Sequence, residues 1–295
     1  MPTLTPAPDG LLLVDKPAGV SSHDVVNVAR RAIGEKRMGH GGTLDPFATG
    51  LLVLCAGRAT RLLQYLPAEP KVYEATIAFG VETDTEDLHG APVREAPLPT
   101  RAALLAALPT LTGSFDQVPP AYSAKRVGGR RAYELAREGA EVELRAAPIT
   151  VHRWDILAER GGADAVTAWD VRVTCAGGTY VRSLARDLAR AVGSAAHLTA
   201  LRRVRVGAFD VHDAVSLDDL RAGRASLRPA LDALPGFPVQ PLSEEELLKI
   251  VRGIDIPAQT PGDWAALVRD DRPVLVALAE RRNDRWQPRV VMREA

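Results

Sequence analysis

Hydrophobic residues along this chain fall into short runs separated by Pro- and Gly-rich punctuation, and the spacing of apolar positions changes from run to run. Residues 11–14 are four consecutive apolar positions closed by Asp15-Lys16-Pro17-Ala18-Gly19, which predicts a strand ended by a turn. Ser21 or Ser22 can then cap a helix over 23–34, with Val25, Val28, Ala29 and Ala32 on one stripe and Gly34 at its end. A glycine-rich loop, Gly39-His40-Gly41-Gly42-Thr43-Leu44-Asp45-Pro46, precedes the apolar run 51–54, which reads as a buried strand leading to a helix that ends near residue 66. Alternation over 71–79 predicts a strand and residues 100–112 a helix. Within the Pro- and Arg-bearing segment 117–147 a short helix is expected at 132–138. Strand pattern over 165–176 passes through Gly177-Gly178 into a helix with Val181, Leu184, Leu188 and Val192 at helical spacing.

The Pro235-Gly236-Phe237-Pro238 cluster marks a boundary, and the C-terminal segment beyond it reads as a small module. Its predicted elements are a helix at 243–251 and a hairpin of 274–280 and 286–292 that turns near Asn283-Asp284. Strands do not alternate with helices in a regular series. The expected fold class is therefore α+β, a mixed core with a central, largely antiparallel sheet flanked by helices, plus a small C-terminal β-rich domain. The expected division is a flexible tail at 1–10, a main domain at 11–234 and the small domain at 235–295.

Composition narrows the class. A chain of 295 residues with 46% hydrophobic and 25% charged residues matches the globular average, and no apolar run approaches the roughly 20 residues that span a bilayer. The first ten residues lack the basic start of a signal peptide, so a cytoplasmic location is expected. Cys55 and Cys175 sit in apolar stretches without paired spacing and read as small buried hydrophobes. Lys plus Arg and Asp plus Glu both number 37, so the net charge is zero. The charges are nonetheless segregated: Arg182, Arg186, Arg190, Arg202, Arg203 and Arg205 face only Asp187 within 180–205, while acids dominate 82–95. That segregation predicts a basic face able to steer a polyanion despite the neutral total.

Neither a phosphate-binding P-loop nor a dinucleotide fingerprint is present, and the six histidines show no ligand spacing. His40-Gly41-Gly42 is like an oxyanion-hole loop, yet no G-x-S-x-G nucleophile elbow accompanies it. Within the loop, Asp45 precedes a proline and is biased toward extended backbone. It is either a turn initiator or a displayed carboxylate that can act as nucleophile or general base. If Thr179 caps the following helix, Arg182 lies in a first turn whose dipole disfavours a cation. An anion nearby, a substrate phosphate or a carboxylate such as Asp45, would account for it, as would an ordinary surface position. Tyr73 on its strand is either core or a stacking platform for a base.

Together, LLLVDKPAGVSSHD (11–24), GHGGTLDPFATGLL (39–52), KVYEATIAFGVETDTEDLHG (71–90), VPPAYSAKRVGGRRAYELAREG (118–139) and GGTYVRSLARDLARAVGSAAHLTALRR (177–203) resemble the TruB-type tRNA pseudouridine synthases of bacteria. The resemblance implies isomerisation of uridine to pseudouridine at position 55 in the T loop of tRNA, by base flipping and attack of an aspartate, without cofactor or metal. It implies a pseudouridine synthase catalytic domain over 11–234, an RNA-gripping insertion at about 115–147 and a PUA-like RNA-binding domain at 235–295. Asp45 matches the catalytic aspartate and Tyr73 the tyrosine that stacks on the flipped base. Tyr180 and Arg182 match the pair lining the site, His40 a histidine implicated in splaying the T loop, and Leu201 a leucine beside the base. Lys125, Arg126, Arg130, Arg131, Arg202 and Arg203 are the candidates for the RNA backbone. The implied partner is the tRNA T arm, with no membrane and no obligate protein partner, and a monomeric state. Two departures from the pattern stand out: Gly41 replaces Thr or Ser and is expected to loosen the loop, and Phe47 replaces Leu. A non-catalytic tRNA-binding or tRNA-folding protein on the same scaffold is the alternative.

Overall fold

The computed structural model describes residues 9–67, 69–123, 125–127, 130–131 and 144–292. The short helix expected at 132–138 lies outside them, as do residues 1–8 of the expected tail. The first elements follow the apolar pattern. They are β1 (Gly10–Lys16), α1 (Ser22–Ile33), β2 (Met38–His40) and β3 (Thr49–Ala56). Ser21 rather than Ser22 is the N-cap of α1. It exchanges hydrogen bonds with Asp24 in a capping box, and Gly34 closes the helix in the left-handed conformation at φ 75°. The helix expected to end near residue 66 is instead a single 3-10 stretch, Gly57–Leu62.

Next come β4 (Lys71–Phe79), β5 (Val81–Thr83), β6 (Pro92–Glu95), α2 (Arg101–Ala107), β7 (Gly113–Gln117), β8 (Arg126–Val127) and β9 (Arg130–Arg131). The long strands β10 (Ala147–Gly162) and β11 (Ala165–Cys175) lead to α3 (Val181–Ala191) and β12 (Ala196–Val206). After β13 (Phe209–Asp210), β14 (Val215–Ser216) and α4 (Leu217–Arg221), the chain continues through β15 (Val239–Leu242), α5 (Glu244–Val251) and β16 (Ile256–Pro257). It ends in β17 (Trp264–Arg269), β18 (Leu275–Arg282) and β19 (Arg285–Val291).

These elements form two compact units, one built from residues 1–46, 50–68 and 208–295 and the other from 47–49 and 69–207. In the first, β3 pairs antiparallel with both β1 and β2, and β1 pairs parallel with β14. Leu12, Val14, Val25, Ala29, Leu52 and Leu220 share one core there. The same unit holds a five-stranded sheet in the order β15-β17-β18-β19-β16, all antiparallel except β15 with β17. The predicted hairpin is its β18–β19 pair, turned at Asn283 with φ 55°. Trp286 is buried in the core of this sheet, and its indole N–H donates to Gln240 at 2.7 Å.

In the second unit, β7, β10, β11, β4 and β12 are neighbours in that order, each pair antiparallel. Strand β4 alternates as its sequence predicts, with Tyr73, Ala75, Ile77 and Phe79 buried. Strand β12 was not legible in the sequence. Two register shifts, at 198/200 and 203/205, each insert a residue, so its buried positions no longer keep the two-residue period. Its arginines then read as part of a charged face, when they belong to a strand between helix and sheet neighbours. Helix α3 packs on β12 and β4.

Of the arginines expected to make a basic face over 182–205, Arg190 and Arg205 are exposed and Arg202 is half-buried. Arg182, Arg186 and Arg203 are buried, and α3 turns its arginines onto the acids of 82–87. Arg186 pairs with Glu86 and Asp187, Arg190 with Glu82, and Arg94 joins Glu82 at 3.5 Å. The arginines of α3 are thus met by the acids of 82–87 inside one unit, and the buried ones among them, Arg182 and Arg186, each have a carboxylate at hand.

Candidate active site

The loop that carries Asp45 is held from both sides. Ser22, 3% exposed at the start of α1, points its hydroxyl at Leu44, accepting from Leu44 N at 2.8 Å and donating to Leu44 O at 3.0 Å. On the other side, Pro46 O accepts from Gly19 N at 2.9 Å and from Lys16 Nζ at 3.2 Å. Lys16 is 0% exposed and its ammonium also donates to Pro17 O at 3.0 Å and Val20 O at 2.9 Å, so the Asp-Lys-Pro-Ala-Gly turn wraps one buried cation. Asp45 sits half-buried between these two anchored residues. The Asp-Pro dipeptide is therefore a loop fastened at both neighbours of its carboxylate.

His40 closes β2, and its Nδ1 accepts from Gly42 N at 3.3 Å. Gly41, the departure expected to loosen the loop, is hydrogen-bonded and closely packed. Gly41 N donates to Val53 O at 2.9 Å, and a Cβ at this position would lie 2.8 Å from a methyl of Leu66. Leu66 fills the volume that a larger residue at 41 would claim. Phe47 is buried.

In the second unit, the β4–β12 register puts Tyr73 opposite Arg203 and Ala75 opposite Leu201. All four are buried, with Arg203 at 2% exposure, so Arg203 is an interior residue beside Tyr73. Lys71 lies on the same alternation as Tyr73. Burial, and then the neighbouring Arg203, lower its pKa. Arg202 is half-buried on the opposite side of the strand, with Nη1 3.5 Å from Thr49 Oγ1. Among the remaining backbone candidates, Arg130 is exposed and Lys125 Nζ lies 3.5 Å from Arg145 O. Arg126 and Arg131 lie in the two-residue β8–β9 ladder, where only their backbones are described.

Tyr180, not Thr179, is the N-cap of α3, reached through Gly178 at φ 84°, a conformation open to glycine without strain. Arg182 follows in the first turn and is 3% exposed, which removes the reading as a surface residue. Its guanidinium donates to Thr85 O at 2.8 Å and Tyr122 O at 2.9 Å, and lies 4.0 Å from Asp87 Oδ2. The cation that opposes the helix dipole is thus met by a carboxylate and two carbonyls. Glu86, in the same turn at φ 60°, is pushed up in pKa by burial, against the pull of Arg186 and Ser183.

Sequence reasoning missed Ser22, Lys16, Gln117 and the 82–87 acids as supports of these groups. Lys16 read as part of the turn after the apolar run 11–14, and only the structure shows it as the last, buried residue of β1.

The relatives of this chain are pseudouridylate synthases. The chain is similar to the "TruB family pseudouridylate synthase (N terminal domain)" over residues 30–181 and to the "tRNA pseudouridylate synthase B C-terminal domain" over 182–234. It is 47% identical to the tRNA pseudouridine synthase B of Thermobifida fusca, covering 96% of this chain and 98% of the relative. Against the protein of the same name from Mycobacteroides abscessus the figure is 44%, with 97% of each chain covered. A solved H/ACA RNP bound to a substrate RNA containing 2′-deoxyuridine shares the fold at a TM-score of 0.70 and 22% identity, covering 97% of this chain and 85% of that one. The chain belongs to the TruB family of pseudouridylate synthases and is an enzyme that isomerises uridine to pseudouridine. No helix among its described residues is long and apolar enough to cross a membrane.

Proposed function

We propose that this enzyme converts a uridine in the T loop of tRNA, the one at position 55, with Asp45 as nucleophile and the target base flipped out of the RNA. The observation that carries the reading is the clamp on Leu44 and Pro46, which holds the backbone on both sides of a half-buried carboxylate. A nucleophile held in place needs little reorganisation to attack. In the isomerisation the N1–C1′ bond breaks and a C5–C1′ bond forms, C5 gives up its proton and N1 gains one, with no net redox change. Asp45 attacks either the ribose C1′ or the uracil C6.

Flipping costs a few kcal/mol, and stacking of the base on Tyr73 returns about 1 to 3 kcal/mol of it. Tyr180, Arg182 and Leu201 line the base, His40 parts the T loop, and Lys125, Arg126, Arg130, Arg131 and Arg202 contact phosphates. Arg203, expected from the sequence to contact the RNA backbone, is buried opposite Tyr73 on the neighbouring strand and packs beside the platform. Residues 235–295 act as a PUA-like RNA-binding domain, and the enzyme works as a cytoplasmic monomer. Relatives named tRNA pseudouridine synthase B support the choice of tRNA as substrate.

The test is incubation with a T-arm transcript followed by detection of pseudouridine. Conversion by the wild type, and its loss in Asp45→Asn with transcript affinity within about threefold, is the expected result. Retained turnover in Asp45→Asn overturns the nucleophile assignment. Binding without conversion by the wild type favours a non-catalytic tRNA-binding protein.

A further inference from the structure

Gln117 ends β7 at 1% exposure, and its side-chain amide makes two hydrogen bonds to the backbone of one residue. Nε2 donates to Tyr180 O at 3.1 Å, and Oε1 accepts from Tyr180 N at 2.9 Å. Tyr180 is the N-cap of α3 and no side chain caps the helix there. Both polar groups of the Tyr180 backbone are thus held by Gln117, with Tyr180 O also accepting from Leu184 N at 3.1 Å in the first helical turn.

Two arginines of α3 fasten the residues just after Gln117. Arg186 Nη2 donates to Val118 O at 2.8 Å and Arg182 Nη2 to Tyr122 O at 2.9 Å. The stretch 117–122 is thus stitched to the first turns of α3 at three points, of which Gln117 is the uncharged one. Strands β7 and β10 meet at Gln117↔Ala147, so the stitch sits where the chain leaves the sheet.

We propose that Gln117 is a positioning residue: its amide fixes the backbone of Tyr180 and thereby aims the tyrosine into the active site. This rests on the reading that Tyr180 belongs to that site. The chemistry demanded is specific, because the side chain must donate to a carbonyl and accept from an N–H at once. A primary amide does both; an ionised carboxylate accepts only, and a leucine does neither. A protonated carboxyl regains the donor.

That difference gives a readout that general loss of structure would not produce. In the full-length protein, Gln117→Leu should lower kcat by about ten- to a hundredfold, with KM within about threefold, as expected for a displaced active-site group. Gln117→Glu should be equally slow at about pH 8, then recover relative to wild type as the pH is lowered toward about 6. Burial and the facing carbonyl push the introduced carboxyl up, against the pull of the Tyr180 N–H and of Arg182 and Arg186, whose guanidiniums hold Tyr122 O and Val118 O nearby. Melting temperatures of both variants are followed over the same pH range. An unchanged kcat in Gln117→Leu overturns the positioning role, as does a Gln117→Glu deficit that is independent of pH or simply tracks melting. Failure of the wild type to make pseudouridine would instead overturn the functional reading, and this inference with it. Wild-type conversion combined with normal kcat in Gln117→Leu sinks the positioning role alone.

Discussion

Removing the Ser22 hydroxyl is the sharpest probe of how the Asp45 loop is built. Ser22 and Leu44 are both buried, and the hydroxyl serves the N–H and the C=O of Leu44 at 2.8 and 3.0 Å. Ser22→Ala deprives both groups of that partner in a place closed to solvent. An abandoned buried polar group costs about 1–3 kcal/mol, so the pair should cost about 2–6 kcal/mol of a total stability of about 5–15 kcal/mol. The neighbouring Ser21 is an internal comparison. It caps α1 at the surface through Asp24, and Ser21→Ala should cost about 1 kcal/mol. Urea unfolding followed by circular dichroism, with linear extrapolation, measures both losses. Turnover of a T-arm transcript, measured where each variant is folded, supplies the second axis. Ser22→Ala should also lose kcat, because Asp45 is the next residue after the released Leu44, whereas Ser21→Ala should not. Equal destabilisation by the two variants, with kcat unchanged in both, would refute the view that Ser22 holds the loop.

The remaining expectations concern the platform and the buried acids. Tyr73→Ala should slow conversion by several orders of magnitude and Tyr73→Phe far less, since the phenyl ring keeps the stacking face; equal impairment in single-turnover assays would remove stacking as the main role. Glu82 and Glu86 should respond to pH with opposite signs. Burial pushes Glu82 up, but Arg190 and Arg94 together outweigh it and hold the carboxyl below its usual range, so its contribution is present above the unfolded pKa and fades as pH falls through the folded one. Glu86 is raised by burial, so its contribution is present at low pH and fades as pH rises through the folded pKa. Unfolding free energies of Glu82→Gln and Glu86→Gln relative to wild type, from about pH 3 to about pH 8, should therefore diverge with opposite slopes; parallel curves would contradict the assigned directions.

Much of the fold was legible in the order of residues. Strand β4 alternates cleanly because one of its faces is buried and the other half-exposed, and α1 announces both of its ends through Ser21 and Gly34. The terminal hairpin was visible from its turn residues. Strand β12 was hidden because its two bulges break the period on which the reading of strands depends. Among candidate site residues, Asp45, Tyr73, Tyr180 and Arg182 were marked by resemblance to a family pattern. Their supports were not, since Ser22 and Leu44 are 22 positions apart and Gln117 and Tyr180 are 63 apart, distances over which no local pattern operates.

The sequence by itself determined the family, the α+β class and the residues able to carry the chemistry, because those reside in local composition and order. The tertiary structure alone decided where the charge went. Arginines at 182–190 and acids at 82–87 looked like two opposed surfaces, yet Arg186 and Glu86 are partners in the interior and the exposed Arg190 reaches back to the buried Glu82. A linear count cannot register that cancellation, since pairing depends on which segments pack together and on the cost of leaving a buried ion unmatched. The same holds for the aspartate loop: its residues are local, but its rigidity comes from Lys16 and Ser22, brought to it by the folding of β1 and α1.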